Sequence, residues 1–176
     1  MITTITAAIL ATTTLIAPAA RPQQAHVPIQ AIAAETAPLT AASTKAAAIK
    51  ALNVKAKAKA SAIPAQWQDF ADCVGTRESH HNPRALNKGS GAAGKWQFMP
   101  AWRRGLPYMV VKRLKAHGYD PATAKRLLKR MHELPINKWK AEYQDIGFVA
   151  AITASGGKGW KHWYLAGSKC NALAPK

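Results

Sequence analysis

Between residues 21 and 65 the chain offers alanine, proline, threonine and lysine without a convincing apolar face, and this confines any hydrophobic core to the residues beyond 65. Lys55-Ala56-Lys57-Ala58-Lys59-Ala60 is its most repetitive part, a basic low-complexity run. Such a segment buries too little apolar surface to offset the entropy of ordering it. The sequence therefore predicts a disordered or loosely helical linker over 21–65 and one compact domain over 66–176. The apolar fraction of 48% overstates the core, because alanine crowds the first sixty residues.

Residues 1–20 carry no charge and end in small residues, with Ala17-Pro18-Ala19 as an A-x-A-like cleavage site. This is the pattern of a secretory signal peptide, although a basic start is missing and threonine dilutes the apolar run. It predicts a protein that is secreted or held at the cell wall. The net charge of +17 points to polyanionic surroundings: nucleic acid, an anionic membrane, or a wall bearing carboxylates and phosphates. Cys73 and Cys170 lie near opposite ends of the domain and lack metal-site spacing. They read either as a bridge closing a long loop in an oxidising compartment or as two separate buried thiols.

Helical periodicity places Trp67, Phe70, Cys73 and Val74 on the inner face of a helix over 66–77. A turn-rich loop comes next, and residues 95–98 alternate like one arm of a small hairpin. Pro100 suits a short helix carrying Trp102. Pro107 opens another, with Tyr108, Val111 and Leu114 on one face. Asp120-Pro121 reads as an N-cap followed by proline at the first helical position, opening a helix with Leu127, Leu128, Met131 and Leu134. Asn137 is the expected cap of a last helix whose face runs through Trp139, Tyr143, Ile146, Val149 and Thr153. The sum is a mostly helical α+β domain with a minimal hairpin.

Glu78 stands where the first of these helices meets the polar loop, in Arg77-Glu78-Ser79-His80-His81-Asn82-Pro83. Sixteen residues later comes Gly94-Lys95-Trp96-Gln97-Phe98. A carboxyl group between an apolar helix face and an aromatic wall can keep its proton and deliver it to a glycosidic oxygen. Trp96, Trp102, Gln97 and Asn82 are candidate groove residues, the rings for sugar faces and the amides for their substituents. Taken by position alone, a glutamate at a helix end is an ordinary solvated charge.

The surrounding residues resemble the lysozyme-like transglycosylase superfamily. The likeness runs through Trp67, Cys73, Glu78-Ser79, Asn82-Pro83, Asn87, the run from Ser90 to Phe98, and Trp102. It is nearest to the resuscitation-promoting-factor domains and to phage and actinobacterial transglycosylase-like domains. The resemblance implies a lysozyme-like fold and cleavage of the β-1,4 bond between MurNAc and GlcNAc in peptidoglycan. It implies Glu78 as catalytic acid, and Ser79, Gly94 and Gln97 in the roles of their family counterparts. Gly156-Gly157-Lys158-Gly159-Trp160 followed by Cys170 is similar to the family's ending, which brings Trp160 into the candidate groove and supports pairing of Cys73 with Cys170. No cofactor or metal is implied, and the protein is expected to be a monomer.

The departures are specific. The family's resuscitation factors place a cysteine directly before the acid, whereas Cys73 lies a helical turn earlier. Residues 112–140 read as a basic insertion. The Ala-Tyr-Asn segment of soluble lytic transglycosylases is replaced by Ile152-Thr153-Ala154-Ser155, making Thr153 and Ser155 candidates for the third groove element. No second catalytic carboxylate is evident: Glu142 and Asp145 are expected to pair at the surface with Lys138 and Lys140. Either water or the substrate's own hydroxyl can then complete a single-acid mechanism. Two non-enzymatic readings compete, a wall-binding module that keeps the groove and a basic nucleic-acid-binding protein. The second lacks any recognised binding motif. His80-His81 reads as groove lining or exposed surface rather than as metal ligands.

Overall fold

The computed structural model describes residues 37–175, so the expected signal peptide at 1–20 and the first part of the linker lie outside the described residues. The fold is mostly helical, with five principal helices: α1 (Ala37–Ser61), α2 (Gln68–Ser79), α3 (Leu106–Ala116), α4 (Pro121–Glu133) and α5 (Ala141–Ile152). Short 3-10 turns join them and complete the C-terminal segment.

α1 corrects the expected linker, because residues 37–61 form a helix that packs on α5 and α3. Ala56 and Ala60, one turn apart, are buried in the core. The same stripe is pinned by polar contacts. Asn53 Oδ1 accepts the Asp120 N–H at 2.8 Å, and the Ala60 carbonyl accepts Arg113 Nε at 2.7 Å. Lys57 pairs with Glu142 at 2.9 Å. Burial pushes the Arg113 guanidinium below its ordinary pKa. A sequence scan for bulky apolar residues misses such a seam, since methyl groups suffice when two helices approach closely. The folded unit therefore starts well before Pro64.

α2 forms as its spacing predicts, with Phe70, Ala71 and Val74 buried. It ends at His80, whose left-handed conformation (φ 52°) returns its N–H to the Gly75 and Thr76 carbonyls. The hairpin arm expected at 95–98 is instead a turn. Ala93 and Phe98 exchange two backbone hydrogen bonds of 3.0 Å, and the chain between them curls through Gly94 (φ 82°) and Gln97 (φ 48°). Among the described residues the only bridging is two isolated antiparallel pairs, Leu86 with Ala93 and Ala93 with Phe98, so the strand content expected of an α+β domain is almost absent.

In α3 the buried stripe is Leu106, Val110, Val111 and Leu114. Tyr108 is 58% exposed, contrary to expectation, because two residues after Leu106 it points about 200° away around the helix. α4 starts as predicted: the Asp120 carboxylate accepts the Thr123 N–H and hydroxyl, both at 2.7 Å, which holds its pKa below the usual carboxylate value. Asn137 does not cap α5. It is buried within the 3-10 turn Ile136–Lys138, and the helix begins after Lys140. α5 is central, with Ile146, Phe148, Val149 and Ile152 all buried, while Thr153 at its end is exposed.

Trp96 stacks on Phe148 at 3.7 Å between ring centroids, and Trp163 meets Phe148 edge-on at 4.9 Å. Gly159 lies so close to the Ala151 carbonyl that a side chain there would overlap it, which brings the C-terminal 3-10 turn Lys158–Trp163 directly onto α5.

Cys73 and Cys170 form a disulfide that joins α2 to the 3-10 turn Lys169–Leu173 across a separation of 97 residues. Replacing both cysteines by serine should cost about 2–4 kcal/mol, mainly by freeing the unfolded chain. A urea midpoint unchanged from that of the oxidised wild type would show that the bridge adds nothing.

Candidate functional site

Glu78 lies in the last turn of α2, and its side chain is about a quarter exposed. Its partner is Arg77 rather than the apolar wall that the sequence suggested. Arg77 Nε and Nη2 both donate to Glu78 Oε1, at 3.0 and 2.6 Å. The guanidinium is itself oriented from the far end of the chain. Its Nη1 donates to Ser168 Oγ at 2.9 Å, and its Nη2 also donates to the Trp163 carbonyl at 2.8 Å. With Oε1 so held, Oε2 receives no hydrogen bond among the described residues.

The next residue ties this end of α2 to the 94–97 turn, since Ser79 Oγ donates to the Lys95 carbonyl at 2.6 Å. The following carbonyl, that of Trp96, accepts the Trp163 indole N–H at 2.7 Å. Glu78, Ser79, the 94–97 turn and the C-terminal segment are thus one connected hydrogen-bonded region. Gln97 belongs to it in the left-handed conformation, its amide donating back to the Gly94 carbonyl at 3.0 Å.

Other sequence candidates have different places. Trp96 is 1% exposed, stacked on Phe148, with its indole N–H on Asp145 at 3.0 Å, so it is a core residue and not a groove wall. Trp102 is half-buried, edge-on to Phe98 and His162. Asn82 is exposed and accepts the Arg84 N–H at 2.8 Å, an Asx turn that shapes the loop. Trp160 is half-buried against Phe70 and Tyr164. Thr153 is spent on the Val149 carbonyl at 2.7 Å and lines a recess with Lys112, Arg113 and His117. Ser155 is exposed at φ 52° in the kinked turn after α5. Among the described residues no hydrogen bond links Thr153 or Ser155 to Glu78.

A recess of about 770 Å³ adjoins the region, lined by Thr76, Arg77, Leu165, Ser168, Leu173 and the disulfide. Glu78 does not line it; Arg77 stands between them. Two acids of α5 are engaged elsewhere. Asp145 binds Lys95 at 3.0 Å as well as Trp96, and Glu142 binds Lys57, so the partners expected at Lys138 and Lys140 are not the ones used.

Sequence reasoning misses four contributors. Arg77 gives no signal because neighbouring residues on a helix point apart; here the long side chain doubles back at the helix end. Ser168 and Trp163 act from about ninety residues away, and no local pattern announces them. Gln144 is the fourth. It is fully buried on α5, its Oε1 accepting the Lys95 N–H at 2.7 Å. Its Nε2 donates to the Pro83, Ile136 and Trp139 carbonyls at 3.0–3.2 Å. One amide thus clamps the loop after Glu78, the 94–97 turn and the entry to α5. A lone polar residue within an apolar helix face is the available signal.

No family model matches the chain, and searches of characterised proteins and of solved structures likewise give no match.

Proposed function

We propose that the chain is a peptidoglycan-cleaving enzyme of the lysozyme-like transglycosylase kind, secreted to the wall, with Glu78 as its single general acid and base. The observation that carries this reading is the Ser79–Lys95 hydrogen bond. It draws together the two segments on which the sequence resemblance rests, the end of α2 and the 94–98 run. A helix end bearing a carboxyl against a Gly-x-x-Gln-Phe turn is the arrangement the lysozyme-like reading requires.

In this mechanism Glu78 protonates the oxygen bridging MurNAc and GlcNAc, the bond from the MurNAc anomeric carbon to that oxygen breaks, and positive charge develops on the ring. The resulting carboxylate then takes a proton either from water or from the substrate's own hydroxyl as that oxygen bonds to the anomeric carbon. The first route leaves a reducing end and the second an anhydro sugar. Arg77 holds Oε1, so in this mechanism Oε2 carries the proton transfers. The engagement of Asp145, Glu142 and Asp120 in other contacts supports a one-acid mechanism over a retaining pair of carboxylates.

Mass spectrometry of muropeptides released from purified peptidoglycan tests the proposal. New anhydro or reducing MurNAc ends support it and name the chemistry, whereas intact glycan strands defeat it. The two-pronged hold of Arg77 on Glu78 favours a second reading, a wall-binding module in which that pair is structural. That reading predicts binding to sacculi with no new glycan ends.

A further inference from the structure

Two neighbouring recesses on α4 and the turn after it, of about 440 and 380 Å³, share Arg130 and Leu134 and so form one continuous groove. Along it lie Arg126, Lys129 and Arg130 on one helix face, then Lys138 and Lys140 at the entry to α5. All five are exposed, and among the described residues none is in an ion pair, although Glu133 lines the same groove. Among the described residues the ion-paired cations are Lys57, Arg77 and Lys95, so the groove is set apart by the close spacing of its unpaired cations rather than by their being unpaired. Like charges at i and i+4, such as Arg126 and Arg130, weaken a helix slightly, so this spacing works against folding and is relieved by a bound anion.

The shape and lining narrow the anion. A track of five cations through two joined recesses fits a chain of charges better than one small ion. Trp139 lines the groove but is only 3% exposed, with its indole N–H on the Leu134 carbonyl at 3.2 Å. It offers no free ring face on which a nucleic-acid base could stack. The remaining wall is Leu127, Met131 and Leu134 together with the half-buried ring of Tyr143, over which Lys57 Nζ already sits at 5.9 Å.

We propose that this groove binds a linear phosphodiester polyanion whose repeat carries no base, of the poly(glycerol phosphate) type. None of the groove's five cations bonds to Glu78 or Ser79, and the proposal stands whether or not the chain cleaves glycans.

The test is binding of the full chain to fluorescently labelled poly(glycerol phosphate) across a salt series. It is repeated with Lys129→Gln/Arg130→Gln/Lys138→Gln and with a control of equal charge loss, Lys112→Gln/Lys115→Gln/Lys158→Gln. Circular dichroism checks that each variant is folded, and Arg130→Gln alone serves if the triple variant is not. The groove variant should bind about tenfold more weakly or worse, with a salt slope shallower by about two to three, while the control changes about twofold. Equal losses in the two triple variants would reduce the effect to net charge and overturn the proposal. Tighter binding of a thymidine oligonucleotide of matched charge would overturn it in favour of nucleic acid. Because the readout is binding alone, its failure leaves the test of glycan cleavage untouched.

Discussion

Glu78→Gln should leave the protein folded and reduce muropeptide release from purified peptidoglycan by about a hundredfold to ten-thousandfold, the usual range for losing a general acid. The substitution is close to isosteric. A glutamine oxygen can still accept from Arg77, so the guanidinium keeps its bonds to Ser168 and to the Trp163 carbonyl, and the end of α2 stays tied to the C-terminal segment. What disappears is the transferable proton and the carboxylate that takes one back. The unfolding midpoint should therefore move little while turnover collapses. Release above about a tenth of the wild-type rate in a folded variant would remove Glu78 from the catalytic role. Loss of release together with a large fall in midpoint would assign Glu78 to structure instead.

The largest effect on stability is expected at Gln144→Met. Methionine matches glutamine closely in length and volume, so the change isolates the hydrogen bonds from any cavity. The Lys95 N–H and the Pro83 and Trp139 carbonyls lose a partner, whereas the Ile136 carbonyl retains the Trp139 N–H. An orphaned buried polar group costs about 1–3 kcal/mol, and neighbouring losses are not additive, so about 3–5 kcal/mol is expected from denaturant unfolding. A loss below about 1 kcal/mol would mean that the freed groups find other partners and that the clamp is dispensable. Gly94 belongs to the same unit: a side chain there would meet Gln144 Oε1, so the tight turn and the buried amide depend on each other.

The parts of this fold that are legible in the sequence are those written locally. Asp120-Pro121 announces the start of α4 because cap and first-turn proline act within three residues, and the cap hydrogen bond is present. Phe70 and Val74 announce the buried face of α2 through helical spacing. Asn137 shows the limit of such signals: the same residue type that caps helices elsewhere is buried one turn too early. Tyr108 shows another, since aromatic character suggests a buried face from which the helix geometry turns it away.

At the candidate site, the sequence identifies the segments but not their wiring. Glu78, Ser79 and the 94–97 turn do come together, through a hydroxyl whose partner carbonyl is sixteen residues away. Trp96 reads in the sequence as a ring for sugar stacking, and its position against Phe148 assigns it to the core instead. Arg77 and Gln144 work through long-range bonds to backbone groups, which leave no trace in the order of side chains, and Ser168 meets Arg77 from 91 residues away.

Ala56 and Ala60 give the repetitive lysine-alanine stretch an unequal tolerance to change. Lys55, Lys59 and the outward Ala58 can vary in size and chemistry with little consequence, whereas Lys57 is held by Glu142. The two inward positions have an upper limit on volume, because anything beyond a methyl group would prise the helix from its neighbours. Monotony in a sequence can therefore record crowding: a residue repeats because nothing larger fits.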